Sequence, residues 1–375
     1  RTQSGREYGA VEEYFEGGSG MNIVVLAGGL STERKISFSS GTKICAALRS
    51  RGHKAVLVDL FNGLEDMGED VLAHPSKLFE NPPELVPVVF DGKAPDLVAV
   101  RKARKYKSPS LFGLGVLDIC REAEMVFIAL HGMNGEDGRV QATFDLMGIP
   151  YTGSDYLGAA MAMDKIITKK MVMNEGVKTP AWNFYTIKSE SDIQTAIEEN
   201  PVPCVVKTTT GGSSVGVYII KEQSKLEKAI RDCTEYGPDV LIEQYIAGRE
   251  FTCGVLGEKA LPSVEIVPKT NFYDYENKYQ AGATDEICPG RCTPAVEELI
   301  GEMSLTVHRV LGLLTYSRSD FIVTDDDEVY FLEVNTLPGM TPTSLVPQEA
   351  AAVGITYEEV CQYIVDDAMK RTQVK

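Results

Sequence analysis

Positive charge is what this chain is short of: 54 acidic residues stand against 37 basic ones in 375, a formal net charge of −17. A surface of that sign argues against a general binder of nucleic acid or of anionic membranes, both of which attract basic proteins. It leaves room for an anionic ligand, because a few enclosed Lys and Arg can make a local positive pocket in an acidic protein. Long apolar runs are missing as well, and none approaches the ~18–20 residues of a membrane span. There is no CxxC; eight cysteines are scattered, with Cys288 and Cys292 the nearest pair. With no secretory leader in view, structural thiols in a reduced, cytoplasmic setting are expected. The strand–GxxxxGK[ST]–helix phosphate loop is absent, as are internal repeats and low-complexity tracts. What remains is ordinary: 43% hydrophobic and 24% charged residues exclude general disorder. At roughly 150 residues per domain, the length predicts two or three domains.

Residues 1–20 end in Gly17-Gly18-Ser19-Gly20, a flexible linker composition, and read as an appended tag with Met21 as the start of the folded chain. A natural acidic extension that docks a partner is the alternative. Asn22 to Ala27 (NIVVLA) predicts a buried parallel strand, residues 37–51 a helix, and Lys54 to Leu60 the next strand. That is a βαβ unit opening an α/β domain. Residues 62–116 read as a loop-rich insertion. Met125 to Leu130 returns to the sheet, followed by a helix over 140–147, a short strand over 148–151 and a helix over 164–174. From Trp182 the pattern becomes α+β, with strands at 203–207, 215–220 and 239–244 around a helix at 224–233. A third block starts near Gly248 and closes on a helix around 357–371. Domains are therefore expected at 21–152, 153–247 and 248–375.

The segment Ser317 to Asn335 (SRSDFIVTDDDEVYFLEVN) is the most informative. Two β-rich runs flank an acidic patch that reads as a tight hairpin turn. A turn centred on Asp326 and Asp327 sets Asp320 opposite Glu333 and Arg318 opposite Asn335. Side chains alternate along a strand, so all four project from one face. Two carboxylates and an amide crowded together suit a hard cation such as Mg²⁺, with Arg318 beside it to neutralise a phosphate. A solvated hairpin with surface charges is the competing reading, weakened by the apolar residues on both of its faces.

Val205-Val206-Lys207 ends a strand before the loop Thr208 to Gly216 (TTTGGSSVG), whose backbone N–H groups and hydroxyls suit phosphate oxygens. A flexible loop with no ligand is the alternative. Lys165 opens a helix, where its charge and the helix dipole favour an anion, although a solvated lysine fits equally. The strand Leu241 to Ile246 offers backbone for an adenine edge, and Glu250 a carboxylate for ribose hydroxyls.

Taken in order, these features resemble the ATP-grasp fold, and more closely the D-alanine–D-alanine ligase family. The resemblance is carried by Gly28-Gly29-Leu30-Ser31-Thr32-Glu33-Arg34, by Leu130 to Gly138 (LHGMNGEDG), by Ile149 to Ser154 (IPYTGS) and by Ala162-Met163-Asp164-Lys165. It continues in Gly212 to Gly216 (GSSVG), Phe272 to Tyr279 (FYDYENKY) and Glu333 to Thr341 (EVNTLPGMT), and so covers the chain from Met21 to its end. It implies an α/β and α+β, three-domain ATP-grasp fold with an N-terminal parallel-sheet domain. The implied activity is ATP-dependent ligation of two D-alanines through a D-alanyl phosphate, for peptidoglycan precursor synthesis.

Under the resemblance Lys165, Lys207 and Ser214 would hold ATP phosphates, with Glu243 and Ile246 at the adenine and Glu250 at the ribose. Asp320, Glu333 and Asn335 would bind two Mg²⁺, with Mn²⁺ as a substitute and K⁺ as an activating ion. Glu33 would hold the ammonium of the first D-alanine and His131 would lie near its carboxylate. Ser213 and Tyr279 would join Glu33 in a triad that closes a mobile loop, from which Lys278 reaches the phosphoryl group. Arg318 and the Gly339 N–H would face the oxyanion, and Ser344 and Leu345 the second subsite. A homodimer through the first domain is implied too. The stretch Thr208 to Gly211 departs from the family, which often has a Pro and charged residues there, and residues 62–116 are longer than in its shortest members. Alternatives are a D-alanine–D-serine or D-alanine–D-lactate ligase of the same fold, and a non-catalytic ATP-binding subunit. Intact Lys165, Lys207, Asp320, Glu333 and Asn335 speak against the last.

Overall fold

The computed structural model describes residues 20–88, 95–212, 216–269 and 284–372. Its first sheet grows around NIVVLA. Strand β1 (Asn22–Ala27) pairs in parallel with β2 (Lys54–Asp59) on one side and β3 (Met125–Ile128) on the other. A central parallel strand is covered on both faces and needs no polar alternation, so Ile23 to Ala27 are all buried. The chain leaves β1 through Gly28 at φ 74°, where a Cβ would lie 2.6 Å from an Asp59 carboxylate oxygen. Glycine makes that turn without strain. The helix Arg34–Ser50 then crosses to β2, completing the expected βαβ unit.

Residues 62–116 hold more structure than their composition suggests. They contain the helices Glu69–Ala73, Lys77–Glu80 and Leu97–Ala103 and the start of Val116–Glu122. Helices this short never complete a readable apolar period, yet Leu78, Phe79 and Val116 join the first core. The strand expected at 148–151 shrinks to one parallel bridge between Val126 and Tyr151. Pro150 has no N–H to extend the ladder and only accepts from the Val126 N–H at 2.9 Å. The last helix, Tyr357–Thr372, returns to this core, its Cys361, Ile364 and Val365 packing in one cluster with Ile44 and Leu48.

A second, antiparallel sheet has the order β4 (Trp182–Thr186), β7 (Asp239–Gln244), β5 (Cys204–Thr208), β6 (Val217–Ile220). It shares a core with the helices Glu190–Glu199 and Leu226–Thr234. The third sheet is antiparallel as well. It runs β11 (Thr284–Ile287), β10 (Val264–Pro268), β8 (Arg249–Leu256), β12 (Tyr316–Val323), β13 (Val329–Asn335), with β9 (Lys259–Ala260) on β8. The helix Pro294–Val310 backs it. The α/β and α+β composition expected from the sequence is therefore the one observed.

The β12–β13 hairpin differs from expectation in one detail. Its turn is not the two residues Asp326-Asp327 but the loop 324–328, closed by the Thr324 N–H donating to the Glu328 carbonyl, with Asp327 at φ 63°. The outer pairs are displaced accordingly, Phe321 facing Phe331 and Val323 facing Val329. A β-bulge between Asp320 and Phe321 takes the displacement back. Asp320 therefore faces Glu333, and Arg318 faces Asn335, as the sequence predicts.

Candidate active site

Two adjoining cavities, of about 270 and 560 Å³, lie between the sheets, and Glu250, Asp320 and Glu333 line both. The smaller is also lined by Glu33, His131, Arg318, Asn335, Gly339, Ser344 and Leu345. The larger adds Lys165, Lys207, Glu243 and Ile246. Every residue singled out from the sequence and lying within the described stretches therefore borders one space or the other. Ser213, Ser214, Lys278 and Tyr279 fall outside the described residues.

Glu33 caps the N-terminal end of the helix Arg34–Ser50, where the helix dipole favours a carboxylate. The Ser31 hydroxyl holds this corner by donating to the His131 carbonyl at 2.8 Å and accepting from the Glu33 N–H at 3.2 Å. Gly132 leaves room for the acid, since a Cβ there would come within 2.6 Å of Glu33 Oε2. His131 is buried with both ring nitrogens engaged. Nδ1 lies 2.8 Å from the Leu337 carbonyl, to which it must donate, so Nε2 accepts from the Ser40 hydroxyl, also at 2.8 Å. Burial lowers its pKa, against the pull of Glu33, which agrees with this neutral tautomer.

Glu136 sits beside them, its two oxygens accepting from the Gly132 N–H (2.8 Å) and the Leu337 N–H (3.1 Å). It thereby ties the loop after β3 to the loop after β13. Burial, reinforced by the charge of Glu33, pushes its pKa up to about 8. Within LHGMNGEDG nothing in the sequence marks Glu136 as the residue that ties these two loops together.

On the hairpin, Arg318 meets Asp320 at two points, Nε to Oδ1 and Nη2 to Oδ2, each 3.0 Å. Asp320 also accepts from the Thr252 hydroxyl at 2.7 Å and from the Asn335 amide at 3.3 Å. Lys165 Nζ lies 3.4 Å from Glu333 and donates to the Gly211 carbonyl at 2.8 Å. Its helix, Lys165–Asn174, is started by Asp164, whose side chain accepts from the Ile166 and Ile167 N–H groups. Such a cap contributes about 1 kcal/mol. Asp320, Glu333 and Asn335 offer a hard cation oxygen ligands from one face. No trio of His, Cys, Asp or Glu among the described residues has metal-binding geometry by itself. A cation here would thus draw its remaining ligands from substrate or water, the habit of Mg²⁺.

The larger cavity rests on a buried charge cluster that sequence reasoning missed in part. Glu243 takes Lys207 at 2.6 Å on one oxygen and Lys169 at 2.7 Å on the other. Burial alone would raise Glu243 and lower Lys207, but their mutual attraction wins, holding the acid low and the lysine high. For Lys169 burial prevails, and its pKa falls. In KIITKKMVMN this lysine looks like one more solvated helix charge; a mid-helix position one turn after Lys165 was its only signal. Gly339, after β13, has an N–H that donates to no described residue, and Thr341 bonds Ser344 through both its N–H (3.0 Å) and its hydroxyl (2.8 Å). A cavity that brings Lys165, Lys207, Arg249 and Arg291 to its wall, meeting an acid-rich one across Asp320 and Glu333, is suited to bringing a phosphorylated ligand against a small zwitterion.

Comparison with known proteins identifies the relatives of this chain. The chain matches the family models described as D-ala D-ala ligase N-terminus, over residues 22–154, and D-ala D-ala ligase C-terminus, over residues 171–366. It is 39% identical over 350 residues to the D-alanine–D-alanine ligase of Pediococcus pentosaceus, covering 92% of this chain and 97% of that one. Against the enzyme of Lacticaseibacillus casei the identity is 38% over 351 residues, with 93% and 96% covered. Among solved structures, the D-alanine–D-alanine ligase from Bacillus anthracis complexed with ATP aligns at TM-score 0.70 and 28% identity, over 94% of this chain and 99% of that one. The VanG D-Ala:D-Ser ligase from Enterococcus faecalis aligns at TM-score 0.71 and 28% identity, over 93% and 100%. With all three sheets inside the matched segments, the chain belongs to the D-alanine–D-alanine ligase family and has its ATP-grasp fold.

Proposed function

We propose that the protein joins two D-alanines into D-alanyl-D-alanine and converts ATP to ADP and phosphate as it does so. The observation that carries this reading is the junction at Asp320 and Glu333. A γ-phosphoryl group entering from the lysine-lined side would meet a carboxylate held on the Glu33 side, with Arg318 between them. A carboxylate is a poor electrophile, so its oxygen first attacks the γ-phosphorus, ADP leaves, and an acyl phosphate forms. Lys165, Lys207 and, by resemblance, Lys278 screen the negative charges that would otherwise repel this attack. Bound at Asp320, Glu333 and Asn335, Mg²⁺ would add charge neutralisation at the transferring group.

Glu33 holds the first ammonium. His131, neutral and fixed at both nitrogens, shapes the pocket and keeps Leu337 in register. The free amine of the second substrate, over Ser344 and Leu345, attacks the acyl carbon. Arg318 and the Gly339 N–H face the resulting oxyanion, and its collapse expels phosphate. Ser213 and Tyr279 would shut the site against water, which would otherwise hydrolyse the acyl phosphate. The setting proposed is the cytoplasm, with a homodimer as the oligomeric state. Incubation with ATP, Mg²⁺ and D-alanine should give phosphate and dipeptide in equal amounts, read by colorimetry and mass spectrometry. No phosphate release would favour the non-catalytic reading. D-Serine as second substrate is the next reading, favoured by the likeness to the D-Ala:D-Ser ligase; faster turnover with D-serine than with D-alanine would establish it.

A further inference from the structure

Glu286 lies on β11 opposite Ile266 of β10, and its side chain lines the smaller cavity beside Thr343, Ser344 and Leu345. It is held from one side. Gln348, on the helix Leu345–Ala352, donates its amide both to Glu286 Oε2 and to the Thr343 carbonyl. The other oxygen, Oε1, meets no polar partner among the described residues. Burial raises the pKa of this carboxyl, against the opposing influence of Gln348 and Arg318. Phosphoryl transfer has no need of an acid here, at the end of the cavity where the second substrate is read to sit. A half-buried carboxylate facing an open cavity favours an approaching positive charge and disfavours a negative one.

We propose that Glu286 sets the charge class of the second substrate, selecting a zwitterionic D-amino acid over an anionic D-2-hydroxy acid of the same shape. The inference rests on the ligase reading above. At neutral pH D-alanine binds with an ammonium and a carboxylate and is neutral overall. D-Lactate carries a hydroxyl in place of the ammonium and keeps a full negative charge. To first order the two differ by one charge in the field of Glu286, whichever way the ligand faces. A charge pair a few ångströms apart, screened between bulk water and a protein surface, makes that difference roughly tenfold in binding. The effect belongs to binding, so it appears in inhibition constants and KM.

Glu286→Gln keeps the shape and removes the charge. With D-alanine and D-lactate supplied together, mass spectrometry gives the ratio of depsipeptide to dipeptide. D-Lactate is also titrated as an inhibitor of dipeptide formation. The variant should raise the product ratio about tenfold and lower the D-lactate inhibition constant by a similar factor. The D-serine to D-alanine product ratio should not move, because both are zwitterions. Glu286→Asp, which keeps the charge, should hold the wild-type ratio. Ratios within about twofold of wild type in Glu286→Gln would overturn the inference, the smallest change the tenfold estimate can lose to screening. A change confined to D-serine would overturn it too, by assigning Glu286 to a side-chain hydroxyl. Should Glu286→Gln not fold, raising the ionic strength on the wild type gives the same readout: weaker discrimination against D-lactate supports the charge argument, and unaltered discrimination defeats it. A wild-type protein that makes no dipeptide defeats the ligase reading itself, so the two failures are distinct.

Discussion

Replacing Glu243 by Gln removes a carboxylate that two buried lysines share. Glu243 is 2% exposed and Lys169 wholly buried, with contacts of 2.6 Å to Lys207 and 2.7 Å to Lys169. Breaking a buried pair by deleting one partner costs about 3–5 kcal/mol, and with two cations losing their contact the upper half of that range is expected. At a urea slope of roughly 2–3 kcal/mol/M, the unfolding midpoint should fall by about 1.3–2.5 M. The assay is built into the protein. Its single tryptophan, Trp182, pairs in register with Glu243 across β4 and β7, and its indole N–H faces Met173 Sδ at 3.4 Å on the helix that carries Lys169. Fluorescence therefore reports this cluster directly. The pH dependence has a definite sign. An unpaired buried lysine has a folded pKa below its unfolded one, so the folded chain binds fewer protons, and stability rises with pH across that window. The deficit of Glu243→Gln should shrink from pH 7 to pH 10, and the KM for ATP should rise as Lys207 loses its anchor. A midpoint shift below about 0.3 M at pH 7 would refute the reasoning, since it corresponds to under ~1 kcal/mol.

Three further outcomes are expected. Glu136, pushed up to about 8, keeps its proton in the folded chain while the unfolded chain loses it, so its contribution to stability is lost between about pH 4.5 and 8. Glu136→Gln should flatten the decline of the unfolding free energy over that range by on the order of 3–5 kcal/mol, as read from urea titrations; equal slopes in both proteins would contradict it. Glu33→Gln should raise the KM for the first D-alanine about 10–100-fold through loss of a charge-assisted hydrogen bond, and an unchanged KM would remove Glu33 from that subsite. Asp320→Asn should lower turnover at least ~100-fold at saturating MgATP, whereas near-native turnover would exclude Asp320 from phosphoryl transfer.

Side-chain alternation and an acidic turn were enough to pair Asp320 with Glu333 from sequence, although the turn lies differently and a bulge restores the register. The compensating bulge beside Asp320 was not legible, since an extra residue in one strand leaves the sequence pattern unchanged. The apolar run of β1 announced a parallel strand, but nothing in Tyr357–Thr372 says that its apolar side packs on that strand's sheet; periodicity gives a face and never its partner. Lys169 and Glu286 escaped for a related reason. Lys169 is defined by a carboxylate 74 residues away in sequence, and Glu286 by the amide of Gln348 on another element. The described residues taken from motif resemblance border the two cavities, while the charge networks beneath them needed the fold.

The central claim is that the carboxylate of one amino acid is activated by phosphoryl transfer where the two cavities meet. D-Alanine labelled with ¹⁸O in both carboxylate oxygens tests it directly. If an acyl phosphate forms and an amine displaces phosphate, each inorganic phosphate released should carry one ¹⁸O from the carboxylate, with the other retained in the peptide carbonyl. Phosphate free of ¹⁸O alongside dipeptide formation would contradict the account.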